Sequence, residues 1–575
     1  MEELRLACRG TLSQNRPAST SMPEVQADNI ALPDGLNVLW EDVSSLTDTS
    51  SHGTCESLLV AKSFLELRGP QSLSGDDKCA ANGLYEWASA AALPSAVYAQ
   101  TEEVSNEHKE AMREDQLRSR LALAIIASLN GTLPIADAKS QADIIIALAS
   151  FSSTDDPWTT QESHECSTKL LDGFAKSTHS LWSILEQILK ERIRPLFAKA
   201  KNPAITAAGR KNFHPVPLPR FDASILDPET KPWKIHDVYA PTVFSWIITQ
   251  YNAQSITNLE THFPLLIPPL LSLIDDENTL TKATGCKLLT HLLTPIKESN
   301  SPILHRTNLS PVFSDAIKPS LLSLPSITPE NDSIALLQKA YPALLSLHKT
   351  THATNPNKHQ YTQELAKTLR DHLIPSFHHI SSTNTTSGSS FASFPYPLLS
   401  TLLLDNTVPV LTELGIHSTK YLQDLIPLLH NTLVNPFGPA YPPLLLAALA
   451  VTRAVILNAH PRVWRWRGEV LSAVCSCWIH AVDEEVEIEQ RRKKDESSGS
   501  RERDAMEKVK KELRGVVYLL KFAVRNSVQD EDVGQVEARE NLDGELVKLV
   551  DADECLRGLL LEEVDVNDKG YFGSC

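Results

Sequence analysis

Glycine is scarce in this sequence, at 21 of 575 residues. Loops that cradle phosphate groups depend on glycine, because only glycine lets the backbone come so close to a ligand. The chain contains no Walker A loop, no GxGxxG fingerprint, no GxSxG nucleophile elbow, no HExxH zinc motif and no protein-kinase signature. We therefore predict a protein that is not an enzyme and that needs no cofactor and no small-molecule substrate.

Paired cysteines are also missing. The nine cysteines are dispersed, and no two form a CxxC pair. No cluster of cysteines occurs with a cluster of histidines at the spacing typical of zinc ligands. This pattern predicts reduced, mostly buried thiols and no bound metal. The segment MEELRLACRG has acidic residues where a signal peptide has basic ones, and no apolar run reaches the ~20 residues that span a bilayer. We expect a soluble protein of the cytoplasm and nucleus.

Positive charge is in short supply, with 54 lysines and arginines against 71 aspartates and glutamates and a formal net charge of -17. Nucleic acids and anionic membranes attract cationic surfaces, so we expect neither among the partners. One basic tract, Arg491–Lys494, resembles a nuclear localisation signal. Acidic residues flank it on both sides, which favours a solvated, charge-paired helix.

What the sequence does contain is leucine and proline at helical spacing. Leu181, Ile184, Leu185, Ile188 and Leu189 fall on one helix face. Residues 262–296 predict two helices separated by a turn at Asp275-Asp276, and similar pairs begin near residues 314 and 421, with a weaker unit between them. Helix pairs that recur in this way are typical of HEAT and armadillo repeats. We predict an all-α fold, an α-solenoid of HEAT/armadillo-like helical repeats.

Shifts in composition divide the chain into segments. The predicted organisation is a mobile N-terminal arm (1–55), an N-terminal helical region (56–200), an extended connector (201–235), central helical repeats (236–350), C-terminal helical repeats (351–482) with a polar loop (381–395), a charged insert (483–514), and C-terminal helices with a tail (515–575). The insert is predicted to be two helix ends joined by a Ser-Gly tip.

Three tryptophans are candidate partner contacts. Trp464 and Trp466 lie two residues apart, so they cannot both face the core of one helix. Either one of them contacts a partner, since exposed Trp and Arg are favoured at binding hot spots, or a capping repeat covers both. Trp233 follows Pro232 in a segment predicted to be extended. Trp233 either fills a groove of its own chain, which is the favoured interpretation, or contacts another subunit.

Three further pairs of residues attract attention as chemical sites. His236 and Asp237 are neighbours in sequence, and neighbouring side chains point in different directions, so we predict no catalytic role for this pair. His378-His379 could bind a metal only with partners that the sequence does not locate, so we predict a solvated helix end. Cys475 and Cys477 would be about 200° apart around a helix. We expect one of these two thiols to be buried and the other partly exposed.

Five motifs carry a resemblance to a known family: NPAITAAGRK (202–211), KPWK (231–234), HFPLLIPPLLSLIDD (262–276), GCKLLTHLL (285–293) and the long block that begins SPVFSDAIKPSLLSL (310–347). In this order they resemble the Tel-two-interacting protein two family, over roughly residues 180–350. The resemblance implies a non-catalytic subunit of the TTT complex, with Tel-two and Tel-two-interacting protein one as partners.

The resemblance also implies work with the heat-shock chaperone machinery. The expected result of that work is the maturation and stability of phosphatidylinositol-kinase-related kinases, and through them the DNA-damage response and telomere maintenance. The alternative interpretation is another helical-repeat binding module, such as an importin-class transport receptor. That class binds Ran in a nucleotide-dependent way, whereas a TTT subunit co-purifies with its two partner proteins.

Overall fold

The structure is a computed structural model. It describes residues 1–14, 22–23, 25, 35–45, 51–69, 75–99, 105–177, 181–198, 203–206, 209–214, 230–353, 358–382, 394–492, 500–526 and 533–562. Within these ranges the chain is helical and forms no β-strand, and its β-type pairing is an isolated antiparallel bridge between Ile205 and Lys211. The prediction of an all-α fold is confirmed.

The described chain contains 25 α-helices. The first are α1 (Glu2–Gln14), α2 (Leu36–Ser44), α3 (Ser51–Arg68), α4 (Gly75–Ala92), α5 (Asn106–Asn130), α6 (Gln141–Ala149), α7 (Gln161–Ser177), α8 (Leu181–Ile188), α9 (Arg194–Phe197), α10 (Ala240–Thr249), α11 (Ile256–Ile274) and α12 (Thr279–Glu298). The others are α13 (Ile303–Thr307), α14 (Ser310–Ile317), α15 (Glu330–Ala353), α16 (Lys358–Lys367), α17 (Ile374–Ser382), α18 (Pro397–Leu414), α19 (Leu422–Leu433), α20 (Pro442–Asn458), α21 (His460–Val463), α22 (Arg467–Arg492), α23 (Ser500–Asn526), α24 (Val533–Ala552) and α25 (Arg557–Leu560).

The chain forms two compact units. Unit one comprises Met1–Leu273 and Thr294–Leu309, and unit two comprises Ile274–Leu293 and Ser310–Cys575. In unit one, helices contact both the next helix and the next but one, as in the pairs α3–α5, α4–α5, α4–α6, α5–α7 and α6–α8. Unit two has the same pattern in α15–α16, α16–α18, α18–α20, α19–α20 and α22–α23. In both units, helices that are two apart in the chain therefore lie side by side.

Two large buried aromatic side chains of unit one, Tyr85 and Trp158, have their polar atoms paired with backbone carbonyls. Tyr85 is fully buried, and its hydroxyl donates a hydrogen bond to the carbonyl of Leu133 at 2.7 Å. The indole N–H of Trp158 donates to the carbonyl of Ser150 at 2.8 Å. Large aromatic side chains can lie in this core because their polar ends find backbone acceptors.

The predicted helix pairs are present in the structure. Residues 262–296 fall on α11 and α12, with a break at 275–278. Asn278 caps α12, since its side-chain oxygen accepts hydrogen bonds from the N–H groups of Leu280 and Thr281, both at 3.0 Å. The second pair is α14 and α15, and the third is α19 and α20.

Prolines do not break these helices as often as the sequence suggests. Pro264, Pro268 and Pro269 lie inside α11, and α12, α15, α18 and α19 each contain an internal proline. An interior proline costs about 3 kcal/mol, because it removes a backbone donor and clashes with the preceding turn. The flanking leucines of α11 are almost fully buried, and that burial, at about 2 kcal/mol per side chain, outweighs the cost.

Two short π-helical segments share a sequence pattern that the sequence analysis did not identify. Leu189–Ile193 lies in unit one and Thr368–Leu373 in unit two. Each overlaps a run with leucine first, proline seventh and phenylalanine ninth, LKERIRPLF at 189–197 and LRDHLIPSF at 369–377. A proline cannot donate to the carbonyl four residues earlier, and the wider π turn lets the helix continue past it.

The N-terminal segment contains more helix than expected. Of the arm predicted at 1–55, residues 2–14 form α1, 36–44 form α2, and α3 begins at Ser51. Leu4 and Cys8 are fully buried, because they lie one turn apart on the face of α1 that packs on α3. Arg5 pairs with Asp42 at 2.6 Å. The other residues of the arm, apart from 22–23, 25, 35 and 45, lie outside the described ranges.

Other predicted segments are described only in part. The charged insert at 483–514 contains the end of α22 and the start of α23, and Lys510 pairs with Glu485 at 2.7 Å. The Ser-Gly tip of the insert and most of the polar loop at 381–395 lie outside the described residues. Of the described helices, none is by itself long and apolar enough to cross a membrane; Pro442–Asn458 and His460–Arg491 reach that length and apolarity only as a pair bent by 100°.

Candidate partner-binding surfaces

Trp233 lies in the core of unit one. Its side chain is 3% exposed and stacks on Phe197 with ring centroids 5.1 Å apart. Lys231 has the non-helical backbone expected before a proline, but Pro232–Lys234 form a 3₁₀ turn, so the segment is not extended as predicted. Trp233 thus fills a groove of its own chain, and a partner contact by this residue stays a prediction.

Trp464 and Trp466 lie in a 3₁₀ turn between α21 and α22. Trp464 is buried at 9% exposure, with the Arg465 guanidinium 5.1 Å from its ring centroid, whereas Trp466 is half-buried. Arg467, the residue after the turn, donates two hydrogen bonds to the carboxylate of Glu545, at 2.8 and 3.0 Å, and so fixes the end of the turn. Of the two, Trp466 leaves more surface for a partner.

Residues 203–206 and 209–214 of unit one form the two arms of a hairpin, within and just beyond the NPAITAAGRK motif. The N–H of Asn212 donates to the carbonyl of Ala204 at 2.7 Å, and the N–H of Lys211 donates to the carbonyl of Thr307 at 3.1 Å. Gly209 has φ +64°, and a Cβ at this position would come 2.7 Å from the Cα of Pro264. The glycine is therefore required for conformation and for space. The hairpin presents Phe213 to solvent at 68% exposure.

The HFPLL motif begins with a histidine that is buried and paired. His262 is 3% exposed, and its Nδ1 lies 2.8 Å from the hydroxyl of Tyr251. Burial lowers the pKa of His262, which favours the neutral ring, and the tautomer of that ring decides which of the two groups donates the hydrogen bond. Gly209 and His262 therefore serve the packing of unit one.

A groove of about 470 Å³ in unit one is lined by several acidic side chains. We refer to it as the acidic groove. Its carboxylates are Glu86 from α4, Asp143 from α6, Glu191 from the π-helical segment, and Asp237 from the turn before α10. Sequence reasoning noted only Asp237, as part of the His236-Asp237 pair. No sequence spacing links these four positions, since packing of distant helices brings them together.

Each of these carboxylates has a partner, but only one partner is a cation. Asp143 pairs with Arg192 at 2.5 Å. Glu86 accepts a hydrogen bond from the hydroxyl of Ser140 at 2.7 Å, and Glu191 accepts one from the amide of Gln187 at 2.9 Å. Among the described residues, the groove thus holds more negative than positive charge.

Asp237 is engaged by a phenol. The hydroxyl of Tyr239 donates to Asp237 Oδ1 at 2.9 Å. Burial, followed by the negative charge of Asp237, raises the pKa of Tyr239, so the phenol keeps its proton and adds no charge of its own. His236, the neighbour of Asp237, is exposed.

Five cysteines of the described chain are buried thiols. Burial raises the pKa of Cys8 and Cys475 to about 11 and that of Cys55, Cys286 and Cys477 to about 12, so these thiols are protonated near neutral pH. In the described ranges, no three His, Cys, Asp or Glu side chains are placed to hold a metal ion.

Two smaller sequence predictions have clear outcomes. Cys475 and Cys477 are both buried, at 7% and 1% exposure, so the expectation that one would be partly exposed is wrong. Both are covered because α22 packs against α19 and α23.

In the basic tract, Arg491 pairs with Glu487 at 2.9 Å and with Glu484 at 3.3 Å, which agrees with the predicted charge-paired helix. Lys493 and Lys494 lie outside the described residues.

His378 and His379 lie on α17 and are exposed. The Nε2 of His379 is 3.2 Å from the hydroxyl of Ser326. Their solvated position is the one predicted from sequence.

Comparison with known proteins gives two matches. The model of the Tti2 family matches residues 144–440, which is more than half of the chain. TEL2-interacting protein 2 of Saccharomyces cerevisiae is 26% identical over 228 residues, which cover 38% of this chain and 51% of the yeast protein. The chain thus spans about half the length of this curated relative.

Proposed function

This chain belongs to the Tti2 family, and from that membership we propose that it is a non-catalytic scaffold subunit of the TTT complex. In this proposal it binds TEL2 and Tel-two-interacting protein one. The observation that carries the proposal is the family match over residues 144–440, together with the name of the yeast relative, which describes a TEL2-interacting protein.

For the architecture, we propose an α-solenoid of HEAT/armadillo-like repeats. Support comes from the contact pattern inside each unit, where helices two apart in sequence lie side by side, as in α4–α6 and α18–α20. Stacked helix pairs bury their apolar faces against neighbouring pairs and leave long helical surfaces for partner proteins. A scaffold role follows from such surfaces and needs no reactive group.

For the biological role, the complex would act with heat-shock chaperone machinery in the maturation and stability of phosphatidylinositol-kinase-related kinases. The DNA-damage response and telomere maintenance would depend on it through those kinases, and the protein would act in the cytoplasm and nucleus. What supports this part is the family membership.

The test in cells uses an affinity tag on this chain in its own organism. TEL2 and Tel-two-interacting protein one should co-purify, and depletion of the chain should lower the steady-state level of the related kinases without lowering their messenger RNA. Recovery of Ran with GTP in place of the two partners would overturn the proposal in favour of a transport receptor.

Among the three candidate tryptophans, we propose Trp466 as a partner contact, because it is less buried than Trp233 and Trp464. Trp466→Ala should reduce recovery of a partner protein while the melting temperature changes by less than about 2 °C. Trp233→Ala serves as the contrast, since loss of its stacking on Phe197 should lower the melting temperature. Equal recovery with Trp466→Ala and the parent would remove Trp466 from the interface.

A further inference from the structure

Three carboxylates of the acidic groove have no cationic partner among the described residues. They are Glu86, Glu191 and Asp237, whereas the fourth, Asp143, is paired with the guanidinium of Arg192. A cation in the groove would pair with these carboxylates.

A buried hydroxyl without a partner lies in the wall of the same groove. Ser89 lies on α4 and lines the groove at 2% exposure, and its Oγ makes no hydrogen bond in the described structure. An unpaired buried hydroxyl destabilises a folded chain by about 1–3 kcal/mol, so most such groups are bonded. A ligand with an N–H group in the groove would supply the missing bond.

The groove also has an apolar side. Leu93 from α4, Ile146 from α6, and Ile193, Pro195 and Leu196 from the π-helical segment and α9 line it next to the carboxylates. In the described ranges no cluster of carboxylates is close enough for a metal ion. A mixture of acidic and apolar walls fits a cation on an aliphatic stem, which is the chemistry of lysine and arginine side chains.

We propose that the acidic groove binds a lysine or arginine side chain from a basic segment of a partner protein. The Nζ or guanidinium group lies in the groove, pairs with one or two of the carboxylates Glu86, Glu191 and Asp237, and donates a hydrogen bond to Ser89 Oγ. Its aliphatic stem packs on Leu93 and Leu196. The occupant is taken to be a protein because the proposed function is that of a scaffold; the groove's chemistry is independent of which protein that is.

The test measures binding of short capped peptides to the purified full-length chain by ligand-observed NMR. The probes are acetyl-Gly-Ala-X-Ala-Gly-amide with X as arginine, lysine or citrulline, and spermidine is a separate probe. The arginine and lysine peptides should bind, and citrulline, which keeps the shape but lacks the charge, should bind at least about tenfold more weakly. Raising the salt from about 50 to about 500 mM should weaken the charged peptides several-fold.

Matched variants locate the binding. Glu86→Gln, Glu191→Gln and Asp237→Asn together should weaken the arginine peptide at least about tenfold. The control carries the same change of charge at exposed acids elsewhere in unit one, Glu107→Gln, Glu110→Gln and Asp172→Asn, and should bind as the parent does. Equal weakening in the two triple variants would overturn the proposal, because the effect would then be one of net charge.

Ser89→Ala separates binding from folding. Because the hydroxyl is unpaired in the described structure, its removal should leave the melting temperature unchanged or higher, yet binding of the arginine peptide should weaken about threefold or more. Unchanged peptide binding in Ser89→Ala would remove the hydroxyl from the site. A lower melting temperature would show that the hydroxyl is bonded within the fold, against the proposal.

Two results would reject the proposal outright: no binding of either basic peptide, or binding of spermidine alone, which would assign the groove to a polyamine. The proposed function fails separately. If TEL2 does not co-purify with the chain but the basic peptides bind with the expected variant pattern, the groove stands and the scaffold assignment falls. If TEL2 co-purifies equally with the parent and with the groove triple variant, the occupant belongs to another protein.

Discussion

His348 on α15 is a buried residue whose protonation opposes folding. It is 4% exposed, and burial lowers the pKa of its imidazole to about 4, while Glu364 acts in the opposite direction and His352, Lys318 and Lys367 add to the lowering. The unfolded chain takes up the same proton near pH 6.5. The free energy of unfolding should therefore fall as the pH decreases through 6.5 towards 4, and His348 alone should account for about 2 kcal/mol at pH 5.

His348→Gln removes that titration. Denaturant unfolding at pH 7 and pH 5 should give a smaller loss of stability in this variant than in the parent, by about 1–2 kcal/mol. The exposed His378→Gln is the control and should keep the parental pH dependence. An unchanged loss in His348→Gln would mean that this imidazole is not held neutral in unit two.

Gly209 tests the hairpin formed by residues 203–206 and 209–214. Gly209→Ala combines a strained positive φ with a Cβ 2.7 Å from Pro264 Cα, whereas Gly69→Ala has nearly the same φ, +66°, and nothing within 4 Å of its Cβ. Strain alone costs about 1–2 kcal/mol, and overpacking adds about 1–3 kcal/mol. Thermal unfolding should show a clearly larger drop in melting temperature for Gly209→Ala. Equal drops would mean that the approach to Pro264 relaxes easily.

Single residues could be predicted from sequence only where spacing decides the outcome. The turn after Ile274 and the buried face of α8 follow from local pattern, so they were accessible. The burial of both Cys475 and Cys477 was not, because it depends on two other helices that flank α22. The orphan hydroxyl of Ser89 carries no sequence signal at all, since serine is common at exposed and buried helix positions alike.

At the scale of elements, leucine periodicity predicted where helices lie better than proline predicted where they end. α11 continues through Pro264, Pro268 and Pro269, because burial of its leucines outweighs the lost hydrogen bonds. The π-helical segments at 189–193 and 368–373 are a second way in which a helix accommodates a proline without ending. Both effects depend on tertiary packing, which local propensity does not contain.

Leu270 and Leu280 test whether that burial holds α11 in place. Leu270→Asp places an unpaired carboxylate at a fully buried position of α11, so it should cost at least about 4 kcal/mol. The melting temperature should fall by about 10 °C, or the protein should not fold. Leu280 is 56% exposed near the start of α12, where an aspartate faces the favourable end of the helix dipole. Leu280→Asp should therefore melt with the parent, and a large loss there would contradict the assignment of its exposed face.

At the scale of the whole molecule, the helical class and the family were both accessible from sequence, for different reasons. The class follows from helical spacing repeated along the chain. The family follows from five ordered motifs, of which those at 202–211 and 262–276 hold a hairpin and a buried histidine in place. The acidic groove was inaccessible, because Glu86, Asp143, Glu191 and Asp237 are brought together only by the packing of α4, α6 and the segments around them.

The central claim is that this chain is a scaffold that holds TEL2, and reconstitution from purified proteins tests it most directly. The chain and the TEL2 protein of the same organism are mixed, alone and with Tel-two-interacting protein one, and the molar mass is measured by light scattering during size-exclusion chromatography. The account predicts a peak whose mass is the sum of the components, with this chain stoichiometric in it. Separate elution of this chain at its own mass in every mixture would contradict the account.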